Sequence, residues 1–215
     1  MRALLRYVLL KSIRERFIAP LLLFPVLTLG APMVGLSIRA ALFGRTDYPI
    51  FLARTSPIEN LVFLLTVVFF VVAIAAGVAA FWIFRKEIGD RSIASLVMAT
   101  HPASIPLAAV FYGTVIGSTA FVIALPLVFL MLGTLPIGLG LTMFVAIVSS
   151  LLAASAASLL ASLSADPGML LPLLLLAPFV KEIAELDARW IVTSLVLIIL
   201  CPLIAARMLE RRCTA

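Results

Sequence analysis

Apolar residues run along this chain in long unbroken blocks, and the polar residues collect between them. Blocks at 17–38, 61–84, 107–132 and 137–163 each exceed the roughly 20 residues that a helix needs to cross a bilayer. A fifth, 169–182, is shorter, and its apolar part from Met169 to Val180 is too brief to cross as a straight α-helix. A sixth runs from Trp190 to Ala206. The pattern predicts an all-α polytopic membrane protein with six transmembrane helices, the fifth short or broken. The whole chain, 1–215, reads as one transmembrane domain. A tilted or interrupted fifth crossing, with part of 181–189 folded back into the outer leaflet, keeps both ends on one side. Irregular backbone at that depth needs protein around it.

The breaks carry turn chemistry. Pro20, Pro25 and Pro32 interrupt the first block, and the stretch from Arg39 to Asn60 contains Gly44, Pro49 and Pro57. Gly133 to Pro136 and Ser164 to Gly168 read as tight turns, the second punctuated by Asp166-Pro167-Gly168.

Composition agrees with the pattern. Hydrophobic residues make up 64% and charged residues 12% of the 215, where soluble domains hold about 45–50% and about 25%. The mean hydropathy is +1.27. The net charge of +6 falls between spans and forms no basic patch with aromatics, so nucleic acid is not an expected partner. Membrane lipid is.

Counting Lys and Arg orients the chain. With the N-terminus inside, the inner segments hold Arg2, Arg6, Lys11, Arg14, Arg16, Arg85, Lys86, Arg91, Arg207, Arg211 and Arg212. The outer ones hold Arg39, Arg45, Arg54, Lys181 and Arg189. Lys and Arg favour the cytoplasmic side, so both termini are expected there. The N-terminal basic stretch predicts an interfacial helix: Arg2, Arg6 and Arg16 share a side, although Lys11 and Arg14 do not. It is too long, with too long an apolar run after it, for a cleaved signal peptide. Cys201 and Cys213 are expected to be free thiols.

Catalytic and metal-binding patterns are missing. His101 is the single histidine and has no partner ligands at metal spacing. No serine has a credible base, and there is no Walker A motif. The chain is expected not to be an enzyme and to hold no cofactor.

The most informative polar segment follows the second block. Arg85, Lys86, Glu87, Asp90 and Arg91 precede Ile93, Leu96, Val97 and Thr100, which recur at i, i+3, i+4 and i+7. This predicts a short amphipathic helix, capped by Asp90 or Ser92 and stopped by Pro102. It reads either as a plain interfacial connector or as a helix that docks on a cytoplasmic partner.

A charged stretch, a short amphipathic helix, a Thr/Pro stop and a long third span resemble the permease subunits of type-2 ATP-binding-cassette exporters. The heme-exporter B-like proteins are similar in size and in their six-span plan. The family's acidic–Gly–Thr–Leu–Glu segment is matched in part by Asp90, Arg91, Ser92, Ile93 and Ala94, with Arg91 in place of the Gly and Ala94 in place of the Glu, and its Thr–Pro is split by His101 between Thr100 and Pro102. The short, proline-bearing fifth block with Pro172 and Pro178, and Trp190 opening the sixth, are also similar. The resemblance implies an ATPase-coupling helix built from Glu87, Asp90, Arg91, Ile93, Leu96, Val97 and Thr100. It implies partner ATPase subunits that carry ATP and Mg, a second permease copy or a homologous permease, and the bacterial inner membrane. A non-transporting membrane scaffold or assembly factor is the alternative.

Two further features stand out. Gly113 and Gly117 form G-x-x-x-G, with Ser150, Ala154 and Ser158 continuing the theme beside Ala153, Ala157 and Ala161; small residues let membrane helices approach closely. They mark a seam within one subunit or between two. Lys181, Glu182, Glu185 and Asp187 form either a solvated loop, with Lys181 and Glu185 paired at i, i+4, or an outer gate.

Overall fold

The computed structural model describes Leu23 and residues 57–89, 104–132, 138–164 and 166–214. The first expected span, 17–38, lies outside the described residues except for Leu23, which is helical and exposed. So do the N-terminal interfacial helix and the turn at 133–136.

Five α-helices and one 3₁₀ segment make up the described fold. They are α1 (Pro57–Gly89), α2 (Ser104–Leu132), α3 (Gly138–Leu163), the 3₁₀ segment (Pro167–Leu176), α4 (Ala177–Ala184) and α5 (Ala188–Thr214). Five stretches are long and apolar enough to cross a membrane: Leu65–Arg85, Ser104–Pro126, Gly138–Leu163, Pro167–Ala184 and Ala188–Arg211. The chain is a multi-pass helical membrane protein.

Several helices outrun their apolar blocks. Arg85, Lys86 and Glu87, expected in a loop, belong to the last turns of α1, and the tail from Arg207 to Thr214 is helical. Hydropathy marks only where lipid tails begin and end. A helix continues beyond them because its backbone bonds are internal, while its polar side chains meet headgroups and water.

α1 packs against α2, α3, the 3₁₀ segment and α4, and α3 packs against α1, α2 and α5. Successive spans alternate direction, the 3₁₀ segment and α4 running on as one, so the C-termini of α1, α3 and α5 share one end with the start of α2. Each end has its own apolar core. One unites Leu65, Phe69 and Val72 with Phe121, Val145, Val180 and Ile183; the rings of Phe69 and Phe121 lie 5.9 Å apart. The other unites Phe81 and Phe84 with Ile105, Val110, Ala161, Leu173 and Leu209.

Between the two cores the helices draw close. A methyl added at Gly113 would sit 2.5 Å from the Ala76 carbonyl oxygen, 2.9 Å from Ala80 Cβ and 3.0 Å from Ala154 Cβ. One at Gly117 would meet Ser150 Oγ at 2.6 Å and Ala76 Cβ at 2.8 Å. The G-x-x-x-G therefore closes a three-helix waist within a single chain, with Ser150, Ala154 and Ser158 fully buried. Gly77 on α1 completes it: a methyl there would lie 2.8 Å from Leu173 Cδ1 and 3.4 Å from the Ala153 carbonyl.

The candidate span from Pro167 to Ala184 owes its length to its winding. Asp166 caps its start, accepting a hydrogen bond from the Gly168 N–H at 2.9 Å, and Pro167 follows in the first turn. Pro172 and Pro178 each lack a backbone donor and oppose an α-helical ladder. Ten residues wind as 3₁₀ before eight wind as α. At about 2.0 Å and about 1.5 Å per residue these reach about 32 Å, against about 27 Å for an all-α segment, enough for a hydrocarbon core of about 30 Å. Burial follows the threefold period. Leu170, Leu173 and Leu176 face inward to differing depth, while Leu171, Leu174 and Leu175 are 68%, 54% and 73% exposed.

Gly113→Ala is expected to lower the thermal stability of the detergent-solubilised protein by roughly 1–3 kcal/mol, because the neighbour it meets is backbone. Gly140→Ala, which meets nothing within 4 Å, is expected to be neutral or to stabilise by up to about 1 kcal/mol. Equal melting temperatures for the two variants would remove the waist as a structural constraint.

Candidate functional site

Three groups of residues carry the chemistry expected of the chain, and the structure treats them differently. The segment expected to form a coupling helix comes first. Glu87 lies in the last turn of α1. Asp90, Arg91, Ile93, Leu96, Val97 and Thr100 lie outside the described residues, as does His101. The described helices fix where that segment is anchored: it leaves α1 and enters α2 at the end of the bundle that also holds the C-terminus of α5.

That end is basic. It carries Arg85, Lys86, Arg207, Arg211 and Arg212, against Glu87, Asp166 and Glu210. The opposite end carries Lys181 and Arg189, against Glu59, Glu182, Glu185 and Asp187. Between them, α2 and α3 contain no Asp, Glu, Lys or Arg at all.

The second group, at the opposite end, forms a turn. α4 stops at Ala184, and Leu186 adopts a left-handed backbone with φ +59°. The Leu186 N–H donates to the Ile183 carbonyl at 3.0 Å and the Asp187 N–H to the Glu182 carbonyl at 3.1 Å, the bonding of a Schellman turn. Glycine is the usual residue there. Leu186 takes the strain while its side chain packs against the nearby apolar core. Asp187 then caps α5, its Oδ1 accepting from the Arg189 N–H at 2.8 Å. Lys181 and Glu185 pair at 3.6 Å, both exposed. Glu182 is half-buried. Phe179 and Trp190 meet edge to face at 4.8 Å, which pins α4 to α5 where aromatic side chains favour the membrane interface. Asp187 thus has a local structural task, and the Lys181–Glu185 pair faces outward.

The third group is the small-residue seam, which contains hydroxyls that spacing alone does not reveal. Threonines in the spans bond back to their own helices: Thr114 to the Val110 carbonyl at 2.8 Å, Thr119 to Val115 at 2.7 Å and Thr142 to Gly138 at 2.6 Å. Ser158 does the same to Ser155, and Ser162 to Leu159. Ser162 also reaches Met208 Sδ at 3.6 Å, a contact between α3 and α5. Ser149, Ser150, Ser155 and Ser194 are fully buried, and their hydroxyls find no partner among the described residues. In an apolar interior each such group costs about 1–3 kcal/mol. The signal available in the sequence was the density of serine along α3, which close packing by itself does not require.

Among the described residues no cluster of three or more His, Cys, Asp or Glu could hold a metal ion, and Cys201 is a buried free thiol. No family model, no curated protein and no solved structure matches the chain.

Asp187→Ala is expected to lower stability by about 1 kcal/mol through loss of the α5 cap. Lys181→Ala is expected to change it by less than about 0.5 kcal/mol, as exposed pairs do. Equilibrium unfolding of the purified protein in mixed micelles measures both. A larger loss at Lys181 than at Asp187 would show that the charged cluster does more than end and begin helices.

Proposed function

We propose that the chain is the membrane-spanning permease subunit of an ATP-binding-cassette exporter in the bacterial inner membrane. In this reading it has six spans, with both termini cytoplasmic. It works with separate ATPase subunits that carry ATP and Mg, and with a second permease, either a copy of itself or a homologue. The segment at 91–100 is the coupling helix, with Glu87 and Asp90 at its entrance.

What supports the reading is the pair of helix ends that this segment connects, the C-terminus of α1 and the start of α2. The segment joins α1 to α2 at the basic end of the bundle, the end that the excess of Lys and Arg assigns to the cytoplasm. A helix lying there meets a soluble partner and is tied directly to two helices of the waist. Motion of a partner would reach α1 and α2 as rigid rods, and the contacts at Gly113 and Gly117 would carry it to α3. The uncharged α2 and α3 suit a lipid-like or amphipathic cargo better than a small ion, because a charge crossing beside them would be poorly solvated. Ser149, Ser150, Ser155 and Ser194 are then candidate polar contacts in the interior.

Gentle solubilisation and affinity purification are expected to bring down a Walker-motif ATPase chain with this protein. Arg91→Glu is expected to reduce ATP hydrolysis coupled to the permease by about tenfold or more while leaving its helical content intact. Recovery of the permease without an ATPase, together with full function of Arg91→Glu, would exclude the reading and favour a scaffold that acts without nucleotide.

A further inference from the structure

α5 is an outer helix whose exposed face changes character along its length. Val196, Ile199 and Leu203 are 49%, 62% and 52% exposed. Four-residue steps from Ile199 lead through Leu203 to Arg207 and Arg211, both exposed. Side chains four apart lie one above another on a helix, so the two guanidinium groups continue the apolar row. From Ile199 to Arg211 the rise is about 18 Å. One leaflet with its headgroups is about 20–22 Å thick. The row therefore offers aliphatic contact over the depth of an acyl chain and positive charge at the depth of its phosphate.

We propose that this face of α5 is a binding site for an anionic phospholipid, with the acyl chain along Ile199 and Leu203 and the headgroup at Arg207 and Arg211. Two observations favour lipid over a second copy of the chain. The row contains only branched aliphatic side chains above the arginines, whereas helix interfaces in membranes use small residues for close approach. The small residues of this part of α5, Ala205 and Ala206, are buried inside the bundle instead. The charges also match: arginine presents a planar fork of donors that fits phosphate oxygens, and anionic headgroups attract basic residues near the surface. Glu210 is exposed on the same side of the helix and opposes the headgroup, leaving two cations against one anion. Arg211 and Glu210 each make another interaction as well, so Arg207 is the leading cation. The site does not depend on the chain being a transporter.

The test uses the full-length protein purified in detergent and supplied with equal amounts of phosphatidylglycerol and phosphatidylcholine, with bound lipid read by native mass spectrometry. The expected result is preferential retention of phosphatidylglycerol. Each arginine contributes about fivefold, so R207Q/R211Q should lower the preference by more than tenfold. E210Q should raise it, R207K/R211K should keep most of it, and R189Q at the other end of α5 should leave it unchanged. If R207Q/R211Q does not fold, a salt titration of the wild type replaces it, and the preference should collapse with rising ionic strength. Equal retention of the two lipids, a preference that survives R207Q/R211Q or high salt, or a loss that R189Q reproduces would overturn the proposal.

Discussion

Everything in this bundle depends on how closely three backbones can approach. Lipid tails are as apolar as leucine, so burying leucine between helices gains little in a membrane. What remains is contact between atoms, which requires the absence of side chains at the right heights. Gly77, Gly113 and Gly117 supply that absence, with Ala76, Ala80, Ser150 and Ala154 as the surfaces they meet. The aromatic cores above and below are wide because they are filled with Phe69, Phe121, Phe81 and Phe84. The waist holds these wide ends in register, and without it the phenylalanines would face lipid as readily as one another.

The stretch from Pro167 to Ala184 meets the same waist through one fully buried leucine. Leu173 is the one fully buried residue of the 3₁₀ segment, and it sits where Gly77 has no side chain. Its neighbours along the segment are leucines and prolines that face outward. The segment is therefore held most deeply at Leu173, with Met169, Leu170 and Leu176 packed half-buried on the same core, and by α4 at its far end, where Val180 and Ile183 enter the core. The α5 helix follows, turned back by the left-handed Leu186 and the Asp187 cap.

Much of this could be read in the sequence, for reasons that also explain what could not. Four of the described spans follow from unbroken apolar blocks, since lipid imposes length directly. Their ends do not, because Arg85 to Gly89 and Arg207 to Thr214 remain helical after the apolar blocks have ended. Gly113 and Gly117 were legible as a spaced pair. Gly77 was not, although Ala73 and Gly77, and Ala76 and Ala80, repeat the same small-x-x-x-small spacing without a second glycine. The 3₁₀ winding was hidden because periods of 3 and 3.6 differ little over ten residues, all of them apolar, glycine or proline from Pro167 onward. Asp187 stood among charges that suggested a gate, and sequence does not distinguish a carboxylate that caps a helix from one that guards an opening. The amphipathic pattern at 91–100 lies outside the described residues and rests on the sequence.

The 3₁₀ segment also gives the chain an adjustable strut. Moving a residue from 3₁₀ to α winding shortens the axis by about 0.5 Å, and it exchanges one backbone bond for another without breaking the chain's path. Membranes differ in thickness by a few ångströms, and a rigid helix meets that difference by tilting or by deforming the lipid. Here the accommodation lies within one stretch of chain, and rewinding it moves Leu173 against Gly77 and Val180 and Ile183 in their core, so the glycine waist limits how far the strut adjusts.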